Sequence, residues 1–412
     1  MLYHLNEFKN AAMMPTKFWS DAVGIFASAM PNEADSYSKI ISATSEIIGR
    51  TTMVFDRPQF GLQHTLRNSE MLTVVEKKAM IKPFCTLLHF ERQRDGMPVD
   101  YKDPKVLICA PLSGHFATLL RDTAKAMLPH HDVYITDWHN ARDISMKEGN
   151  FNFQSYVDYL LDFIRYLGKD LHVIAVCQPA VPVLAVVSLL AEYKEPCQPR
   201  TMTLMGGPID TRNNPGPVNQ FSEEHSMLWF KNNLTTKVPS SYAGVGREVC
   251  PGFLMLGGFM SLNVQRHREA NLTLFSKLIQ GDKEGAEAHK RFYNEYRAVL
   301  DMPADYYLDS IRLAFKEHLL PKGLLCWRGY LIRPDKIKNT ALMTVEGELD
   351  EISCPGQTYS AHDLCTSLPP SMRSHYLQIG TGHYGIFNGR RWREEIQPLI
   401  ACFIREHGGS RI

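Results

Sequence analysis

The stretch LHVIAVCQPAVPVLAVVSLLAEY, residues 171–193, holds two patterns and a joint. Its opening, LHVIAV, is a short run rich in Val and Ile, the pattern of a strand buried on both faces. From Pro179 onward an Ala/Val/Leu-rich pattern predicts a helix. The fixed φ of Pro179 suits a first helical turn, where its missing N–H is an orphan in any case. Cys177 stands at the joint with Gln178 behind it. A thiol at a sharp strand-to-helix turn is held at the strand end with a helix N-terminus beneath it. The free N–H groups there favour a thiolate and, later, an oxyanion.

The neighbouring segments share this rhythm. KVLICAP (105–111), DVYITDW (132–138) and TMTLMGGPID (201–210) are predicted strands. HFATLLRDTAKAML (115–128) and FQSYVDYLLDFIRYLG (153–168) are predicted helices by their period. Apolar strands alternating with helices imply a parallel sheet covered on both faces. Two more strand patterns precede them, MLTVVEKKAMIKP (71–83) and CTLLHFER (85–92). The alternation stops at the NNPGPVN loop and gives way to helical patterns such as NLTLFSKLIQ and HKRFYNEYRAVL. It resumes with ALMTVEGELD (341–350), HYLQIG (375–380) and the helix RWREEIQPLIACFIREH (391–407).

The expected organisation is a helical segment over 1–65, broken at Pro31/Asn32, and an α/β core over 66–212. A mostly helical lid or cap follows over 213–338, and the core ends over 339–412. Insertions at strand ends of such sheets often cover the ligand site.

The chain has 412 residues, 44% of them hydrophobic and 22% charged, with a formal net charge of +1. That is ordinary globular composition, and no basic field for nucleic acid is implied. Nine cysteines, an odd number with no C-x-x-C, point to a reducing compartment rather than a disulfide framework. Glu7 and Lys9 interrupt the start where an export signal needs an apolar run. The uncharged stretch 171–191 is broken by His172, Gln178, Pro179 and Pro182, so no transmembrane segment is expected, and the default setting is cytoplasmic.

Three strand ends carry reactive groups in the order Cys177, Asp350, His383. Nucleophile, acid, base is the chain order of the α/β-hydrolase triad. His383 sits in the Gly-rich loop GTGHYG, from which an imidazole reaches the nucleophile, and Asp350 ends VEGELD, where it can fix the ring tautomer. Asp210, one strand earlier, is the rival acid. The elbow reads Ala175-Val176-Cys177-Gln178-Pro179 in place of G-x-S-x-G, and no serine elbow competes with it. The oxyanion donors expected are the backbone N–H of Gln178 and that of Leu112 or Ser113 in PLSGHF. His115 and Trp138 are candidate pocket residues. Taken singly, each has a plainer reading: a core thiol, a structural His, a turn-forming Asp. Their joint order and placement carry the assignment.

Other motifs fail. AGVGREV lacks a third glycine and a preceding strand, and there is no Walker A and no HExxH. The HHD at 130–132 has no partners at ligand spacing, so no metal is expected. CPGFLMLGGFMSLNV (250–264) is uncharged, and reads as lid core or as a surface for an insoluble apolar substrate.

The chain resembles the intracellular polyhydroxyalkanoate depolymerases, which degrade stored poly(3-hydroxybutyrate). The resemblance runs nearly end to end. It is carried by MLYHLNEF, APLSGHFATLLRDT, VYITDWHNARD, HVIAVCQPAVPVLA, TLMGGPIDTR, TVEGELDEIS and GTGHYGIFNGRRWREEI. It implies an α/β-hydrolase fold, with Cys177 as nucleophile and Asp350 and His383 completing the triad. It also implies action on amorphous polymer at a granule surface in the cytoplasm, releasing 3-hydroxybutyrate oligomers or monomer. The related synthases share the triad but carry G-x-C-x-G, and this chain has neither flanking glycine. A synthase-like acyltransferase and a non-catalytic granule-binding protein are the alternatives. No resident cofactor is expected. Coenzyme A is open as an acyl acceptor in place of water, and homo-oligomerisation is left open.

Overall fold

The computed structural model describes residues 2–28, 35–53 and 55–408. The break expected at Pro31/Asn32 lies outside these described residues. The chain divides into two compact units. One comprises Met1–Gln59, Gly114–Leu119 and Pro251–Asp301; the other comprises Phe60–Ser113, Leu120–Cys250 and Met302–Ile412. The segment 213–338 contributes to both.

The larger unit is built on a ten-stranded sheet. Its strands are β1 (His64–Arg67), β2 (Glu70–Ile81), β3 (Cys85–Arg94), β4 (Met97–Pro98), β5 (Lys105–Cys109), β6 (Asp132–Trp138), β7 (Leu171–Val176), β8 (Thr201–Met205), β9 (Ala341–Gly347) and β10 (Arg373–Gln378). Their order is β1-β2-β3-β6-β5-β7-β8-β9-β10, with β4 paired to β3. From β6 to β10 every pairing is parallel, and β1 to β3 join antiparallel. The exchanged order of β5 and β6 and the parallel run beyond them make this an α/β-hydrolase sheet.

The central strands explain the sequence pattern. Every residue of β7, β8 and β9 is buried, as two covered faces require. The helix Ala180–Glu192 follows β7 and is buried from Ala180 through Leu190, so it carries no amphipathic stripe. The helix Phe153–Leu167 opens with a capping box, in which Asn152 accepts the Ser155 N–H at 3.1 Å.

Where structure and pattern differ, the cause is local. The helix expected over 115–128 is a 3-10 turn at Ala117–Leu120 followed by an α-helix at Arg121–Met127. Its first residues are taken up in pairing: His115 bridges Val299, and the Leu300 N–H donates to the Gly114 carbonyl at 2.8 Å. The strand expected over 201–210 stops at Met205, because Gly206 turns left-handed at φ +54°. The final helix is interrupted by a π turn at Trp392–Ile396 before Gln397–His407. Pro398 offers no N–H, and its ring crowds the carbonyl four residues back, so the preceding turn widens.

In the smaller unit the helices Leu2–Ser28 and Asp35–Thr52 pack together, and Ser20 and Ser45 donate to each other's backbone carbonyls. The helices Gly252–Leu262, Val264–Gln280 and Lys283–Arg297 complete it. In the first of these only Gly252 is buried, so the apolar run 250–264 is largely half-exposed or exposed. Among the described residues no helix is long and apolar enough to cross a membrane.

Candidate active site

Cys177 has φ +66°, in the left-handed region that a side chain with a Cβ rarely occupies. Three bonds impose the strain. The Cys177 N–H donates to the Met205 carbonyl at 2.7 Å. The Ala180 N–H donates to the Cys177 carbonyl at 3.0 Å, and the Val183 N–H to the Pro179 carbonyl at 2.9 Å. Strand β7 thus turns into its helix across three residues, Cys177 to Pro179, and presents the thiol at the turn. Backbone strain kept by surrounding structure marks candidate functional positions.

The turn needs room. A Cβ on Gly207 would come within 2.2 Å of the Ala180 Cβ and 2.9 Å of the Cys177 carbonyl oxygen. Gly207→Ala should therefore force the elbow away from β8. A melting-temperature loss equivalent to about 1–3 kcal/mol is expected from such overpacking, with activity falling at a temperature where the variant is still folded. An unchanged melt would show that the elbow tolerates displacement.

His383 and Asp350 meet behind the thiol. His383 Nδ1 lies 2.7 Å from Asp350 Oδ2, and both residues are buried. The other oxygen, Asp350 Oδ1, accepts the N–H groups of Ile352 at 2.9 Å and Ser353 at 2.8 Å, so the carboxylate is fixed from both sides. The Cys177 thiol lies near enough to the His383 imidazole to act on its charge. Burial works against the charged imidazole, but the Asp350 carboxylate and then Cys177 outweigh it. They hold the His383 pKa well above its ordinary value. The row Cys177–His383–Asp350 can carry a thiolate–imidazolium pair or an imidazole poised to take the thiol proton.

The rival acid is engaged elsewhere. Asp210 accepts from Arg212 Nε at 2.8 Å and Nη2 at 2.7 Å, which lowers its pKa despite burial.

The expected oxyanion donors differ in state. The Leu112 N–H donates to Gln178 Oε1 at 3.1 Å, so a side chain already uses it. Among the described residues no acceptor takes the backbone N–H of Gln178 or of Ser113. Trp138 is fully enclosed. Its indole N–H donates to the Ala110 carbonyl at 2.9 Å, and its ring stacks on Tyr156 at 4.4 Å between centroids, a core position. His115 belongs to the smaller unit, where Nε2 lies 3.1 Å from the Tyr296 carbonyl and the ring packs against Phe259 and Tyr296.

Two features went unread in the sequence. Glu346, buried in β9, accepts the N–H groups of Gly356, Thr358 and Tyr359 and so anchors the chain beyond Asp350. A glutamate inside the apolar run ALMTVEG was the available signal. Ser310, which receives Gln178 Nε2 at 3.1 Å, gave none, being 132 residues away.

Comparison with known proteins adds three findings. Residues 206–408 match the family model described as PHB de-polymerase C-terminus. Curated proteins gave no sequence match. Solved structures with likeness to the chain include the 2-hydroxy-6-oxo-6-phenylhexa-2,4-dienoate hydrolase of Rhodococcus sp. strain RHA1, at 11% identity and TM-score 0.43, over 81% of this chain and 99% of that one. A monoacylglycerol lipase of Paleococcus ferrophilus shows 13% identity and TM-score 0.43, over 74% and 94%. A thermophilic esterase of Thermogutta terrifontis shows 12% and 0.40, over 81% and 97%. The fold assignment stands on the strand order and the elbow, and the family likeness on the matched segment. Residues 206–408 are therefore similar to the C-terminal part of the PHB depolymerases, and the chain is a carboxylic ester hydrolase on an α/β-hydrolase fold.

Proposed function

We propose that this enzyme cleaves the ester bonds of amorphous poly(3-hydroxybutyrate) through a Cys177–His383–Asp350 triad and a hydroxyacyl thioester on Cys177. The observation that carries the reading is the strained Cys177 at the strand-to-helix turn together with a buried His383 held by Asp350. In the first half-reaction the Cys177 sulfur attacks the polyester carbonyl carbon and its proton resides on His383. Backbone N–H groups of Gln178 and of the loop after β5 stabilise the oxyanion. The C–O bond breaks, and His383 returns the proton to the leaving hydroxyl of the polymer. In the second half-reaction His383 takes a proton from water, the hydroxide attacks the thioester, and the acid leaves as the Cys177 sulfur is expelled. The same thioester is open to the thiol of coenzyme A. The enzyme is taken to work at granule surfaces in the cytoplasm.

The test is incubation with amorphous poly(3-hydroxybutyrate) granules, with and without coenzyme A, and mass spectrometry of soluble products. Free 3-hydroxybutyrate or its oligomers without coenzyme A are expected. Product seen only as 3-hydroxybutyryl-CoA would replace hydrolysis by thiolysis. No soluble product in either tube would return the chain to the acyltransferase or granule-binding readings.

A further inference from the structure

We propose that the Gln178 side chain occupies the oxyanion position in the resting enzyme, and that the substrate carbonyl displaces it to reach the Leu112 N–H. The proposal rests on the Cys177 mechanism above. Gln178 follows the nucleophile directly, and its carboxamide is held at both ends. Oε1 accepts the Leu112 N–H at 3.1 Å, and Nε2 donates to Ser310 Oγ at 3.1 Å. Ser310 Oγ in turn donates to the Tyr306 carbonyl at 2.9 Å.

Three observations make this an occupant. Leu112 is buried, so its N–H needs a partner whenever no substrate is present. The partner it has is an sp² carbonyl oxygen, the same acceptor type as an ester carbonyl. Gln178 itself is only half-buried, so its side chain has somewhere to go. Its own backbone N–H and that of Ser113 meanwhile carry no acceptor among the described residues. The resting pocket thus has one donor filled from within. A neutral ester carbonyl competes with Gln178 on roughly equal terms. A developing oxyanion competes better, because charge-assisted hydrogen bonds are about twice as strong as neutral ones. Displacement costs both states the same neutral hydrogen bond, but only the oxyanion returns more than that cost, so the occupant disfavours unproductive ground-state binding at this donor.

The opposite reading makes Gln178 a strut that holds the loop after β5 in place. The two readings differ in sign. The test uses a short-chain alkyl trifluoromethyl ketone. The Cys177 sulfur adds to its carbonyl carbon, the thiol proton goes to His383, and the resulting oxyanion occupies the donor site. In Gln178→Ala the inhibition constant is expected to fall roughly five-fold, the worth of one neutral hydrogen bond no longer displaced. Ser310→Ala frees the same carboxamide from its other end, and a smaller shift in the same direction is expected. An inhibition constant that is unchanged or raised in Gln178→Ala overturns the occupant. Fluorine NMR separates this from failure of the mechanism itself. An adduct present in the parent and absent in Cys177→Ala keeps the mechanism. An adduct missing from the parent, or formed equally in both, removes the mechanism and the proposal together.

Discussion

Cys177→Ala is expected to lose ester turnover by a factor of about 10⁴ or more, as removal of a covalent nucleophile does, while its melting temperature stays close to that of the parent. The substitution keeps the Cβ and therefore the same backbone strain at φ +66°, and it removes only the sulfur. The competing view treats the thiol as packing. On that view the variant would lose a little stability and no activity. The other cysteines show what a packing thiol looks like here. Cys109 is fully enclosed in β5, with its pKa pushed up by burial alone. Cys365 is pushed up to about 12, chiefly by burial, with Arg373 acting against it. Neither has an imidazole partner. Cys326 and Cys402 are exposed, so total thiol counts after iodoacetamide would mislead. Peptide-resolved alkylation is the right measurement, and activity should disappear in step with the Cys177 peptide. Full activity with Cys177 fully alkylated would leave the triad without a nucleophile.

The sheet was legible because its strands are covered on both faces. β7, β8 and β9 show as uninterrupted apolar runs, and their helices announce themselves by period. The elbow was legible for a different reason. A thiol followed by Gln-Pro at the end of such a run marks a sharp turn into a helix, whatever occupies the usual glycine positions. The close approach those glycines permit is supplied instead from the next strand, by Gly207 against Ala180. That exchange between strands has no signature in the elbow itself. Asp350 and His383 were readable by chain order, and the 2.7 Å contact between them arises because β9 and β10 are parallel neighbours whose ends lie side by side. Position along one strand could not show that Asp210 turns to Arg212. Nor could it show that Gln178 reaches Ser310, since such pairings depend on loops with no period. The helical block posed a third difficulty. Its pattern marks helices, but only tertiary packing divides 213–338 between two units.

Asp350→Asn and Asp210→Asn should separate the two candidate acids. The amide at 350 keeps the shape and loses the charge, so it no longer fixes the imidazole tautomer or favours the imidazolium. A fall of about three to four orders of magnitude in kcat is expected. Asp210→Asn loses an ion pair with a largely exposed Arg212, worth at most about 1 kcal/mol of stability, and turnover should stay near that of the parent. The reverse pattern would move the acid one strand earlier. The pH dependence gives an independent check. Burial alone lowers the His383 pKa; Asp350 and Cys177 reverse that sign. A His whose folded pKa lies above the unfolded value of about 6.5 adds stability that is fully present below that pH, and loses it as pH rises through the folded value. The Asn variant lacks the carboxylate that supplies the lift. The gap in melting temperature between parent and Asp350→Asn should therefore be widest near about pH 5–6 and close as the pH climbs. A gap independent of pH would mean that Asp350 acts on His383 by shape alone. The kinetic loss would then have to come from ring orientation rather than from charge.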